Sequence, residues 1–361
     1  MPSAIGVTKG KLVDSVKELT GRFKGKHSQF IEKFFTEDVT AYLEILKVFD
    51  EKLRKTTNHQ ATMNDFRSKT EEIVQAGEEL LANQQNDRRT EKLIKETFRE
   101  LLYPWYDSNP FIQRGLWKPR GYPGDYMMME MGYRKETSSL GGLAGQFDFL
   151  FFDRYQSILN RKEIIKAELR AVLASGRKPL LNVLTLGGGS SREWLEFDLE
   201  ISREDRGRIK LTYLDQDEEA LSFSRQRVQQ AKLIRSAEFF GESLLQFRNS
   251  REWASRDRSY EFVYALGIAD YFPDGLLIDI CRRALNLVRP GGSFLITHKD
   301  DQKFNFPLLD WICDWRFVHR DADVFNKVVA QAIQDFDGEA EMSIKRDATD
   351  EILFIKAKRL A

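Results

Sequence analysis

The sequence predicts an α/β protein in which a helical N-terminal region precedes a doubly wound, mostly parallel sheet closed by an antiparallel hairpin. Three observations predict it. Residues 1 to about 103 repeat apolar positions at helical spacing. From Lys178 onward short apolar strands alternate with helical segments, the pattern of a parallel sheet covered on both faces. The last two strand-like runs, Glu339 to Ile344 and Glu351 to Lys358, are joined by a short turn and so pair antiparallel.

The helical region opens with local charge: Lys9, Lys11, Lys17, Arg22, Lys24 and Lys26 stand against Asp14 and Glu18, as on a solvated helix face. Phe30, Ile31, Phe34 and Phe35 form an apolar stripe, which Tyr42, Ile45, Leu46, Phe49 and Leu53 continue after Thr36, an N-cap candidate followed by Glu37 and Asp38. Thr90 precedes a further helix carrying Leu93, Ile94, Phe98, Leu101 and Leu102. Stripes of this kind are packing surfaces. Residues 104–146 hold Pro104, Pro110, Pro119 and Pro123 together with seven glycines, and no helix is expected to run through them. Their aromatics, among them Trp105, Tyr122, Tyr126 and Tyr133, call for an ordered loop rather than a linker. A connecting helix follows within 147–175, and residues 176–361 form the sheet domain.

Expected strands are Leu180 to Leu186, Ile209 to Leu214, Ala237 to Phe240, Tyr260 to Leu266 and Ser293 to Thr297, before the closing pair. The first runs straight into Gly187, Gly188, Gly189, Ser190 and Ser191, and Arg192 and Glu193 open the next helix. Glycines there let a ligand approach the backbone, and the helix start offers free N–H groups to anionic oxygens. A dinucleotide fingerprint needs a glycine where Arg192 stands, and no P-loop motif occurs. The second strand ends at Asp215, Gln216 and Asp217. A carboxylate at this tip lies beside the glycine turn and accepts hydrogen bonds from a ribose, or else serves as a turn residue; Asp217 reads as the N-cap of the next helix.

Composition narrows the function classes. Fifty-six basic and 56 acidic side chains cancel, which removes the overall footprint of a nucleic-acid binder. Two cysteines, Cys281 and Cys313, form neither a disulfide framework nor a metal cluster, and no His, Asp and Glu spacing suggests a metal site. His27 and His59 have no partner in view. No apolar run reaches membrane-spanning length and the N-terminus lacks a signal-peptide block, so a cytoplasmic setting is expected.

The run VLTLGGGSSRE, the strand-end Asp215, Gly241-Glu242-Ser243 after the third strand and LNLVRPGGSFLI into the fifth together resemble the class I S-adenosylmethionine-dependent methyltransferases. The resemblance covers about residues 176–361. It implies a Rossmann-like sheet of seven strands with the last one antiparallel, and S-adenosylmethionine as cofactor. By it, Gly187 and Gly189 approach the methionine moiety, with Gly188 and Ser190 in the same turn. Asp215 holds the ribose, and Glu242 with Ser243 lies at the adenine edge. Gln216, Leu266, Gly267 and the loop residue Tyr126 complete the cofactor-side set. Thr185 stands where an acidic residue is usual and Ser191 where a third glycine is usual.

A narrower resemblance takes in Lys118-Pro-Arg-Gly-Tyr-Pro-Gly-Asp-Tyr126, Tyr264-Ala-Leu-Gly-Ile-Ala-Asp-Tyr271, and Asp314-Trp315 followed by His319-Arg320. These strings are similar to a bacterial methyltransferase family that makes methyl esters of 3-hydroxy fatty acids as cell-density signals. It implies that residues 104–146 form a lid over the cofactor and part of the acceptor pocket. Methyl transfer from a sulfonium requires alignment and water exclusion more than catalytic groups. Tyr122, Tyr126 and Tyr271 supply aromatic faces for a sulfonium. Asp125 binds a ligand or ends a turn; Asp270, Tyr271 and His298 fall at the carboxyl edge of the sheet, where His298 is the available base. Arg320 pairs an acceptor carboxylate or packs near Asp314. The expected activity is methylation of a small-molecule acceptor, best a carboxylate giving a methyl ester. N- or O-methylation with His298 as base, a cofactor-binding module without turnover and a nucleic-acid methyltransferase are the alternatives. The last is disfavoured by net charge and by Ala265-Leu266-Gly267-Ile268, where base-amine methyltransferases carry an Asn/Asp-Pro-Pro-aromatic string.

Overall fold

The computed structural model describes residues 12–23, 28–55, 60–84, 87–135, 141–152, 155–175, 180–230, 237–304 and 306–360. Lys9, Lys11, Lys24, Lys26, His27 and His59 lie outside them. The chain divides into two compact units: Met1–Arg154 with Asn305–Arg316, and Tyr155–Phe304 with Phe317–Ala361. No helix is long and apolar enough to cross a membrane among the described residues.

The first unit is helical, with its longest helices at Thr40–Lys55, Gln60–Gln84 and Arg88–Tyr106. Thr36 is not a cap. It sits in a turn of π-helix, Phe34–Val39, between Ser28–Lys33 and Thr40–Lys55, and its hydroxyl donates back to the Glu32 carbonyl at 2.8 Å. The wide turn puts Phe34, Phe35 and Val39 into the core, whereas Phe30 is exposed. Thr90 likewise lies inside its helix, whose N-cap is Asp87.

Residues 104–146 depart from the expected loop, because helices do run through them. Pro104 lies in the last turn of Arg88–Tyr106. Pro110 is the first residue of Pro110–Trp117, where its missing N–H has no partner to lose, and Asn109 caps that helix through the Phe111 and Ile112 amides. Asp125 caps Tyr126–Arg134. Gly115 is a contact point: a Cβ there would stand 3.1 Å from the Cys313 Cβ.

Cys313 belongs to a helix, Phe306–Cys313, that local sequence placed in the sheet domain but which packs in the first unit. Trp311 anchors it, fully buried, its Nε1 donating to Glu78 at 2.6 Å and its ring set edge-on to Phe98. Lys95 pairs with Asp310 at 2.7 Å. The next residues join two strings singled out by sequence. Lys118 pairs with Asp314, and a Cβ on Gly124 would meet Trp315 at 2.1 Å, so the Lys118–Tyr126 string and Asp314-Trp315 pack as one piece.

The second unit is a seven-stranded sheet: β1 Leu181–Leu186, β2 Ile209–Asp215, β3 Ala237–Gly241, β4 Tyr260–Ala265, β5 Val288–Lys299, β6 Ala340–Arg346 and β7 Ile352–Arg359. Its order is β3-β2-β1-β4-β5-β7-β6, parallel except for β7, which pairs antiparallel with β5 and β6. This is the Rossmann-like class I methyltransferase sheet, as expected. The central strands β1 and β4 are buried nearly throughout, which is why they read as unbroken apolar runs. One face packs helices Asp274–Leu287 and Ala322–Asp335 through Leu277, Ile280, Phe325 and Val329 against Leu184, Val263 and Phe294. Strand order reverses between β1 and β4, and open α/β sheets bind ligands outside the carboxyl ends of the strands at that point.

Candidate active site

The turn after β1 is tied down from β2. The Leu214 carbonyl accepts from the Gly187 and Gly188 amides at 2.8 and 3.2 Å, and the Asp215 carboxylate accepts from the Gly189 amide at 2.8 Å. Its other oxygen takes the Asp217 amide at 2.9 Å. Burial raises the Asp215 carboxyl, and the Asp217 and Gly189 amides pull it back. Asp217 itself accepts from the Glu219 amide, as an N-cap does.

Gly187 has φ +66° and a Cβ there would strike Ile268 at 2.6 Å; Gly189 has φ +52° and faces open space. The two glycines thus differ, one fitting the turn against the β4 loop and the other leaving its backbone uncovered. Ser191, at the third-glycine position, adopts the left-handed region at φ 52°. Its hydroxyl donates to Ser224, which bonds the Gly189 carbonyl, so the hydroxyl gives this strained position an anchor a glycine would lack.

Of the other residues expected on the cofactor side, all but Tyr126 lie in the same unit. Glu242 accepts from Trp253 Nε1 at 3.0 Å, and Ser243 caps the helix Leu244–Asn249 with Gln246 in a capping box. Gln216 is exposed and Ser190 buried. Leu266 and Gly267 leave β4 half-buried, and the Gly267 amide donates to Thr297 Oγ1 at 3.1 Å. Tyr122, Asp125 and Tyr126 belong to the first unit. There the Asp125 carboxylate is engaged by Arg114 at 2.7 Å and by the Met127 and Met128 amides, while the Arg114 guanidinium lies 5.9 Å from the Tyr126 ring.

At the carboxyl ends of β4 and β5 the structure brings together Asp270, Tyr271 and His298. His298 is fully buried, its Nδ1 2.6 Å from Asp270 Oδ1 and its Nε2 3.3 Å from the Arg320 carbonyl. Both ring nitrogens face acceptors, the arrangement an imidazolium satisfies. Burial would raise the Asp270 carboxyl, but His298 beside it and then Lys299 bring it down to about 2. Arg320, read from sequence as packing near Asp314, is directed otherwise: it bonds Asp274 at 2.7 Å, the Ala269 carbonyl at 2.9 Å and the Phe272 carbonyl, holding the turn that carries Asp270 and Tyr271. The Tyr271 ring lies 5.8 Å from Phe317.

Two cations here escaped the sequence reading. Lys299, the last residue of β5, is buried with its Nζ 4.0 Å from the centre of the Phe317 ring and 5.0 Å from that of Phe304. Burial, opposed by Asp270 and reinforced by Arg161, lowers its ammonium to about 8. A lysine ending an apolar strand next to His298 was a usable signal. Arg161, in the helix Gln156–Ser175, left none, because its neighbour Gly267 is remote in sequence. Among the described residues no group of His, Cys, Asp and Glu suits a metal ion.

No family model matches the chain, and no curated protein matches its sequence. Solved structures similar to it include a possible exported protein from Bordetella parapertussis, at 16% identity over 66% of this chain and 80% of that one, TM-score 0.48. The magnesium protoporphyrin IX methyltransferase of Synechocystis PCC 6803 with bound SAH is 12% identical over 58% of this chain and 87% of that one, TM-score 0.42. The S-adenosylmethionine-dependent methyltransferase SibL in its apo form is 13% identical over 83% and 96%, TM-score 0.44. Strand order and the crossover between β1 and β4 place the second unit in the class I methyltransferase fold.

Proposed function

We propose that the chain is an S-adenosylmethionine-dependent methyltransferase acting on a small molecule, with a carboxylate oxygen as the methyl acceptor. The observation that carries the cofactor reading is the glycine turn locked to Asp215 at the strand-order reversal. Gly189 presents open backbone there, a space that a Cβ would enter, and the Asp215 carboxylate is held beside it. Gly187 to Ser190 would receive the methionine portion, Asp215 the ribose hydroxyls, and Glu242 with Ser243 the adenine edge. The cofactor, when bound, supplies an electrophilic methyl on a sulfonium. The chain's part is to hold both reactants in line and keep water out.

A carboxylate acceptor is ionised at neutral pH and needs no general base. This agrees with His298, which is buried with its two nitrogens directed at Asp270 and the Arg320 carbonyl inside the protein. Asp215→Ala is expected to weaken S-adenosylhomocysteine binding by roughly tenfold or more, the scale of ~1.5–3 kcal/mol for hydrogen bonds to a charged group. Calorimetry on folded protein checks this. Equal affinity in the variant, or tight NADH binding by the wild type, would sink the cofactor reading. The acceptor reading is checked by product chemistry. With labelled S-adenosylmethionine and a series of 3-hydroxy fatty acids, the transferred label is expected to be released by mild alkali, as from an ester. An alkali-stable product moves the assignment to nitrogen or to an ether oxygen.

A further inference from the structure

Arg161 is 7% exposed, yet among the described residues its guanidinium makes no hydrogen bond or ion pair, and its Nε has no partner. It packs against Gly267, where a Cβ would stand 2.6 Å from Nη1. Gly267, at φ +66°, is therefore needed both for its backbone and for the room it leaves the guanidinium. A buried arginine normally has a carboxylate facing it, since an unpaired buried charge is costly. The nearby acid does not serve. Asp270 is committed to His298 and to the Lys299 amide, which donates to it at 3.0 Å. Lys299 adds a second buried cation, which Arg161 repels while Asp270 and Glu351 attract it.

We propose that Arg161, with Lys299 beside it, is a receptor for a ligand carboxylate at the carboxyl end of β4. The planar guanidinium fork matches a carboxylate in two parallel bonds, and the Phe317 and Phe304 rings keep Lys299 in a dry setting where its charge is felt. The inference rests on the cofactor reading above, which provides two sources of that group: the amino-acid end of the cofactor and the acid to be methylated.

The test compares wild type, Arg161→Met and Arg161→Lys by calorimetry, with circular dichroism to establish that each is folded. Three probes are used: S-adenosylhomocysteine, 5′-methylthioadenosine, which lacks the amino-acid end, and sodium octanoate added to the S-adenosylhomocysteine complex. If the cofactor supplies the carboxylate, Arg161→Met loses about tenfold or more for S-adenosylhomocysteine and nothing for methylthioadenosine. If the acceptor supplies it, S-adenosylhomocysteine affinity is unchanged and octanoate binding is lost. In either case Arg161→Lys, which keeps the charge without the fork, falls between, and it carries the test alone if Arg161→Met does not fold. Unchanged affinity for all probes, or an equal loss for methylthioadenosine, overturns the inference while leaving the cofactor reading intact. A wild type that binds neither nucleoside overturns that reading and the inference with it.

Discussion

Trp311→Ala is expected to destabilise the first unit by about 3–5 kcal/mol, the range for removing a large aromatic from a packed core. The indole is fully buried, makes edge contacts to Phe34 and Phe98 at 6.2 and 5.2 Å between ring centres, and donates to Glu78. Losing it empties the joint between Phe306–Cys313 and the helices beneath. Chemical denaturation followed by circular dichroism reads the effect, and a loss under ~1 kcal/mol would show that the helix is only lightly docked. Gly77 gives an internal control. Helix propensity alone makes Gly77→Ala favourable by ~1 kcal/mol. A methyl there, however, would stand 2.3 Å from the Trp311 ring, so the substitution is expected to destabilise the wild type and to stabilise the Trp311→Ala background.

The second large effect belongs to the buried pair in the sheet unit. Asp270→Asn keeps the shape and an acceptor for the Lys299 amide but removes the charge opposite His298. Taking one partner from a buried ion pair costs on the order of 3–5 kcal/mol. The pH dependence has a definite sign. The carboxyl is depressed to about 2 from its ordinary 3.8, so its contribution is fully present above about pH 4 and is lost as pH falls toward 2. Urea unfolding of wild type at several pH values should lose stability in that window, and Asp270→Asn should lose correspondingly less. A variant as stable as wild type at pH 7 would show that the buried pair contributes nothing to stability.

Strands β1, β2 and β4 were legible in sequence almost to the residue because each is buried nearly throughout and leaves a short unbroken apolar run, whereas β5 begins at Val288, ahead of the expected Ser293, and the edge strand β3 is only partly buried. The glycine turn and Asp215 were legible for a related reason: one strand-turn-helix unit and the tip of the next strand fix their neighbourhood locally. Residues 104–146 misled, since proline at a first helical position and glycine at a close helix contact carry the same letters as a loop. Pro110 and Gly115 are the instances. Arg320 with Asp274, Lys299 on Phe317, and Arg161 at Gly267 depend on contacts between segments far apart in the chain. No local pattern encodes those distances.

The return of Asn305–Arg316 to the first unit bears on how the protein is made. Trp311 and Asp310 complete a core whose other members precede residue 155, so that core stays open while most of the sheet unit is translated. At ~5–20 residues per second the wait is roughly 10–30 s. During it Phe34, Phe98 and the flank of Gly77 lack their cover, which makes the ribosome-bound helical segment a client for chaperones. A fragment ended at Arg154 would carry the same vacancy permanently, and deletion analysis of the helical region should retain residues 305–316.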